Sequence, residues 1–166
     1  MAILTLPLWT AGIFVSVGDV LDYLDGDLAR RRGTDSREGA IFDAVLDRYT
    51  DFLVLGALTY LATAVQDRYT DFLIGGLSFL TSDIVLLIGL AALLGSMATS
   101  YVRAKTEAEG KASIPTAGDR GWRNRILIAG LLLSQPVWTL GAIALVANIA
   151  AVLRLFHATR TSTVGD

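Results

Sequence analysis

The chain has 166 residues, 53% of them hydrophobic and 18% charged, with a mean hydropathy of +0.54 and a net charge of -2. Soluble domains are usually about 45–50% apolar and about 25% charged, so both departures point towards a membrane. The absence of Cys excludes a disulfide scaffold, the apolar content excludes intrinsic disorder, and the near-neutral charge offers no global field for nucleic acid.

At about 20 residues per spanning helix, the length allows four or five spans. Residues 2–18 carry no charge and run on into an acidic segment from Asp19 to Asp27. No Lys or Arg precedes them and no small-residue cleavage site follows, so they read as a spanning helix and not a signal peptide. A polar stretch, 30–38, leads to a second apolar segment over about 39–65. Residues 66–83 are mixed and read as a loop with Asp67, Arg68, Asp71 and Asp83. Residues 84–102 are an uncharged span, and 103–125 are polar and basic. The last apolar stretch, 126–153, is interrupted by Ser134-Gln135-Pro136. Two short helices turning near Pro136 and one tilted helix both remain open. Arg30, Arg31, Arg32 and Arg37 in the first loop, and the basic residues of 103–125, place those loops in the cytoplasm. Arg154 and Arg160 place the C-terminus there too, which favours the two-helix reading. The expected fold is thus an all-α, polytopic membrane bundle of about five transmembrane segments. It forms one domain over 1–160, with a polar tail at 161–166.

The heptapeptide DRYTDFL occurs at 47–53 and again at 67–73. Two copies do not make a solenoid, so this reads as a local duplication. Asp67 lacks the acid four residues earlier and the Gly eight residues earlier that accompany Asp47; Thr63 and Thr59 stand there instead. The second copy is therefore given no catalytic role.

Charged side chains within membrane helices are costly and mark function by default. Asp22 and Asp25 lie one turn apart near the end of the first helix, and Asp43 and Asp47 one turn apart near the start of the second. A short loop joins the two helices, which makes them antiparallel neighbours and lets the four carboxylates converge. Such a cluster repels itself in low dielectric. Hard divalent cations relieve that repulsion, and a two-cation site flanking a phosphate is the natural inference. Asp51 extends the stripe of Asp43 and Asp47, either supporting them or pairing helices. Asp19 and Asp27 read as solvated or supporting groups.

Residues 22–47, DYLDGDLARRRGTDSREGAIFDAVLD, follow the pattern D-x2-D-G-x2-A-R-x8-G-x3-D-x3-D. This resembles the signature of the CDP-alcohol phosphatidyltransferase family at all eight fixed positions. The resemblance implies a membrane enzyme that displaces CMP from a CDP-lipid (CDP-diacylglycerol or CDP-archaeol) with an alcohol acceptor. It implies two Mg²⁺ or Mn²⁺ ions held by Asp22, Asp25, Asp43 and Asp47, with Asp47 also the general base. It further implies that Asp22, Gly26, Ala29, Arg30 and Gly39 bind the CDP moiety, the small residues leaving room for the flat base. Family members usually have six helices and are often homodimers. This chain is expected to lack the first helix, to pair with a second copy, and to sit in the cell membrane with its site facing the cytoplasm.

SYVRAK at 100–105 and the basic run after it look like the branch whose acceptor is inositol phosphate. Asp47-Arg48-Tyr49 looks like the archaeal members of that branch. Arg103, Lys105, Arg120, Arg123 and Arg125 are the candidates for the acceptor phosphate; the positive-inside rule alone also accounts for basic residues here. Glycerol phosphate and serine are the alternative acceptors. A cation or proton transporter would use the same carboxylates, but Gly26, Ala29, Arg30 and Gly39 at family spacing argue against it. An inactive CDP-lipid-binding fragment is a further alternative. Ala91, Gly95 and Thr99 form a small-residue stripe suited to close helix packing, within a protomer or across a dimer.

Overall fold

The structure, a computed structural model, describes residues 7–32, 36–74, 78–116 and 118–160. At positions 22, 23, 26, 27, 29–32, 37, 66–74 and 78–81 it describes the helix backbone alone. The polar tail at 161–166 lies outside the described residues. Five helices make up the described fold: α1 (Leu8–Arg32), α2 (Arg37–Ile74), α3 (Ser78–Ala108), α4 (Arg120–Leu132) and α5 (Pro136–Arg160). There is no strand among the described residues, in agreement with the all-α expectation.

Local sequence explains the helix ends. Ser36 caps α2: its Oγ accepts a hydrogen bond from the Gly39 backbone N–H at 3.0 Å. Gly110, at φ 70°, closes α3 in a Schellman turn, with Gly110 N–H on Glu107 O and Lys111 N–H on Thr106 O. The same device ends α4. Ser134 takes φ 55°, its N–H bonds Leu131 O, and Gln135 N–H bonds Gly130 O. Pro136 then opens α5, where its missing N–H costs nothing. The interruption at 134–136 is therefore a true turn, and 126–153 is two helices, of 13 and 25 residues when their flanks are included. The second of them is longer than the short helix expected.

One expectation is corrected. The backbone over 66–74 is helical, and helix resumes at Ser78, so most of the segment read as a loop continues α2 or begins α3. No Gly or Pro interrupts 57–74, and the repeated heptapeptide is helical at both occurrences. At 38 residues α2 is about 57 Å long, well beyond the roughly 30 Å hydrocarbon layer. The two copies of the repeat are about 30 Å apart along it, so the second backbone segment is remote from Asp47.

Two helical stretches, Ser82–Ala108 and Pro136–Arg160, are long and apolar enough to cross a membrane. Large apolar side chains face outwards along the bundle, including Phe14 at 75% exposure, Leu53 at 66% and Trp138 at 78%. Such a surface suits hydrocarbon and not water. Helices in lipid gain little from apolar burial against each other, so they rely on close packing and polar contacts. The pair α3 and α5, the most extensive contact, illustrates this. Asn148 Nδ2 donates to Ala91 O at 2.9 Å, and Thr99 Oγ1 donates to Ala147 O at 2.8 Å. A Cβ on Gly95 would lie 2.5 Å from Asn148 Nδ2 and 2.9 Å from its backbone N. The Ala91/Gly95/Thr99 stripe therefore serves packing within the protomer. Gly95→Ala should lower stability by about 1–3 kcal/mol through overpacking, read as a lower melting temperature in detergent. An unchanged melting temperature would show that α3 and α5 are not this closely apposed.

α3 also packs on α2, α5 touches α2 and α4, and α1 packs on α4. The core between them is built by Leu55, Leu58, Val85, Leu127, Leu140 and Ile143.

Candidate active site

The start of α2, the end of α3, the start of α4 and the end of α5 meet at one end of the bundle. Helix periodicity puts Asp43, Asp47 and Asp51 on one stripe of α2. Asp43 and Asp47 line a cavity of about 730 Å³ that Arg103, Arg120, Arg123 and Arg154 also line. Carboxylates and guanidiniums thus line one cavity together, with Arg48 beside Asp47, and Glu107 and Asp119 beside Arg103 and Arg154.

Charges alternate along this lining. Arg120 Nη1 lies 2.5 Å from Asp47 Oδ1. Arg48 Nη2 lies 4.0 Å from Asp47 Oδ2 and 3.7 Å from Asp51 Oδ2. Arg123 Nη2 donates to Asp51 Oδ2 at 2.6 Å, and Ser96 Oγ donates to the same oxygen at 3.0 Å. Arg123, only 4% exposed, also donates to Gly118 O at 2.9 Å. Asp51 therefore ties α2 to α3 and α4, which answers the question its position on the stripe left open. Arg48 donates to Ser100 Oγ, while its Nε is buried with no hydrogen-bond partner.

From the sequence, Arg154 marks only the orientation of the C-terminus. In the structure it is buried in the cavity wall. It donates to Asp119 Oδ1, to Thr116 Oγ1 at 3.1 Å and to Thr99 O at 3.2 Å. Asp119 in turn accepts from Thr116 N–H at 3.3 Å, fixing the loop before α4. The signal for Arg154 was present: an arginine within an otherwise apolar helix. Its partners, 35 to 55 residues away, left no signal in the sequence.

The five expected acceptor-phosphate residues separate into two groups. Arg103, Arg120 and Arg123 line the larger cavity. Lys105 and Arg125 do not. Lys105 donates to Glu109 on the exposed helix end and holds that carboxylate below its ordinary range. Arg125 lies 5.0 Å above the Trp122 ring. Arg103, although at the cavity, pairs with Glu107 at 2.9 Å.

On the motif helix, α1 supplies the backbone of Asp22, Asp25, Gly26, Ala29 and Arg30. At Asp22, Gly26, Ala29 and Arg30 only the backbone is described, and Asp25 is exposed. Among the described residues a Cβ on Gly39 would meet only Ser36 Oγ, at 3.0 Å. Among the described residues no three acidic or imidazole groups gather closely enough to hold a metal ion. The α2 half of the expected donor set nevertheless fits a hard cation. Asp43 and Asp47 offer oxygen ligands to one cavity, and Asp47 Oδ1 already faces a positive group in Arg120.

A second cavity of about 310 Å³ lies between α1 and α2, floored by α4 and α5. The two motif helices flank this space, and α1's packing neighbour is α4. Asp19 lines it, accepting a hydrogen bond from Asn124 Nδ2 at 2.6 Å, so this acid is engaged and not simply solvated.

The described residues form an all-helical bundle with two membrane-length apolar helices and a cavity at one end lined by carboxylates and guanidiniums. The chain belongs to the CDP-alcohol phosphatidyltransferase family, whose sequence profile it matches over residues 1–159. It is accordingly a transferase of phospholipid biosynthesis. The chain is 32% identical over 163 residues to the phosphatidylinositol phosphate synthase of Mycolicibacterium smegmatis, covering 93% of this chain and 67% of that protein. It is 28% identical over 156 residues to the archaetidylinositol phosphate synthase of Pyrococcus horikoshii, covering 93% of this chain and 72% of that one. The fold matches the crystal structure of Mycobacterium tuberculosis phosphatidylinositol phosphate synthase with CDP-DAG bound. The TM-score is 0.71 at 24% identity, over 96% of this chain and 77% of the other.

Proposed function

We propose that the chain transfers a phosphatidyl-type group from a CDP-lipid to inositol phosphate and releases CMP. The observation that carries this reading is the cavity that Asp43 and Asp47 line together with Arg103, Arg120, Arg123 and Arg154. A donor pyrophosphate needs the carboxylates with their cations, and a phosphorylated acceptor needs the guanidiniums. The inositol-phosphate synthases among the relatives support the choice of acceptor.

In this reading the acceptor hydroxyl oxygen attacks the lipid-side phosphorus. Its proton passes to the Asp47 carboxylate, and the bond from that phosphorus to the CMP oxygen breaks. Two divalent cations, Mg²⁺ or Mn²⁺, held by Asp22, Asp25, Asp43 and Asp47, would neutralise pyrophosphate charge and favour departure of CMP. Gly26, Ala29, Arg30 and Gly39 would take the cytidine end of the donor. Arg120 and Arg123 would orient the acceptor phosphate. Arg48 also lines this cavity and would add positive charge beside Asp47. The chain would cross the membrane several times as a homodimer, with this end of the bundle in the cytoplasm, where the basic residues gather.

A panel of acceptors tests the proposal. Purified protein is given CDP-diacylglycerol or CDP-archaeol with Mg²⁺ or Mn²⁺, and CMP release is compared for inositol phosphate, inositol, glycerol phosphate and serine. Inositol phosphate should be used best, and unphosphorylated inositol and serine should fall behind it by at least tenfold, the loss of roughly one charge-assisted contact. Equal use of serine would overturn the acceptor assignment.

A further inference from the structure

Resting on the transfer proposed above, we infer that Asp19 and Asn124 form a polar clamp that sets the motif helix α1 against α4. They are positioning residues for the lipid-donor side of the reaction. Asp19 lies one turn before Asp22 along the α1 backbone and outside the motif pattern. Its Oδ1 accepts a hydrogen bond from Asn124 Nδ2 at 2.6 Å. Asn124 follows Arg123 directly and lies one turn after Arg120. Those two arginines hold Asp51 and Asp47 of α2. One turn of α4 therefore grips α2 through its arginines and α1 through its asparagine.

This matters because the core packing of α1, among the described residues, is concentrated in its first turns, at Leu8, Ala11 and Val15. Its packing neighbour is α4, and the smaller cavity separates it from α2. Val17, Val20, Leu21 and Leu24 all point outwards. A first fixed point is Gly12, where a Cβ would lie 3.1 Å from the Leu132 backbone N. The Asp19–Asn124 bond is a second point, seven residues or about 10 Å further along the helix. The bond thus extends the restraint on α1 beyond the Leu8–Val15 packing and towards the motif aspartates. A carboxylate–amide bond in a low-dielectric wall is charge-assisted and directional, which suits it to setting register. Displacing α1 moves Asp22, Asp25, Gly26, Ala29 and Arg30 away from their α2 counterparts Gly39, Asp43 and Asp47, while the acceptor residues on α3, α4 and α5 stay in place.

The test uses the full-length protein in lipid nanodiscs and three variants: Asp19→Asn, Asn124→Asp and the reciprocal double Asp19→Asn/Asn124→Asp. Asn124→Asp sets two carboxylates against each other, and the double variant restores one amide facing one carboxylate. Asn124→Asp should raise KM for CDP-diacylglycerol by about tenfold or more, leave KM for inositol phosphate within about twofold, and be largely reversed in the double variant. Equal rises in both KM values, or no recovery in the double, would overturn the clamp. A readout independent of activity keeps it separate from the functional reading. The chain has no native Cys, so spin labels at Val20→Cys on α1 and Trp122→Cys on α4 report only the intended distance. That distance should be narrowly distributed in the otherwise native chain, broad with Asn124→Asp, and narrow again in the double. An unchanged distribution with Asn124→Asp would refute the clamp whatever the enzyme's substrate.

Discussion

Asp47→Asn should lower CMP release from CDP-lipid by roughly 10²–10⁴-fold, the usual contribution of a positioned general base. The amide matches the carboxylate in shape but does not take the acceptor proton and is a poorer ligand for a hard cation. Loss of folding would not explain the effect. Asp47 sits in the first third of a long helix whose buried contacts, Leu55 and Leu58, lie further along. Its ion-pair partner Arg120 is part-exposed, so it stays solvated when the charge is removed. The variant should therefore melt close to the native temperature while its turnover collapses. Retention of most activity in a purified, metal-loaded sample would remove Asp47 from the role of base.

The second large effect is on stability. Asp51→Ala strands the Arg123 guanidinium, which is almost fully buried between α2 and α4. Breaking a buried pair by removing one partner costs about 3–5 kcal/mol, because the remaining charge keeps its desolvation penalty with no counter-charge, here with the Gly118 carbonyl as its remaining acceptor. Ser96 Oγ loses its acceptor in the same change, adding an unsatisfied polar group at α3. The melting temperature in detergent should fall clearly. Removing both charges, in Asp51→Ala/Arg123→Leu, should recover much of the loss, since an apolar pair of similar volume carries no such penalty. The double variant should remain poor at transfer, because Arg123 also lines the cavity. An Asp51→Ala protein as stable as the native one would mean that Arg123 reaches water or another partner.

Much of this was legible in the sequence because it is local. The eight motif positions lie within 26 consecutive residues, and helix periodicity alone aligns Asp43, Asp47 and Asp51. The turn before Pro136 was also visible, as a polar tripeptide in an apolar run, although periodicity did not decide whether the chain turned there. Two kinds of feature were not legible. The segment 66–74 looked like a loop because its charges broke the apolar pattern. In a helix long enough to project beyond the hydrocarbon those charges break nothing. The other kind is pairing across the fold. Asp19 and Asn124 are 105 residues apart and meet only because α1 and α4 pack together. Arg154 and Asp119 likewise meet only because the loop before α4 folds onto α5.

The central proposal is that one cavity brings a CDP-lipid and a phosphorylated alcohol together on Asp47. Its most direct test is to incubate purified protein in nanodiscs with radiolabelled CDP-diacylglycerol, inositol phosphate and Mg²⁺, and to measure CMP and lipid product in the same sample. The prediction is equal amounts of CMP and of a phosphorylated inositol lipid, both abolished by chelating the divalent cation and both lowered roughly 10²-fold or more with Asp47→Asn. CMP release without lipid product, or lipid product that persists after chelation, would contradict it.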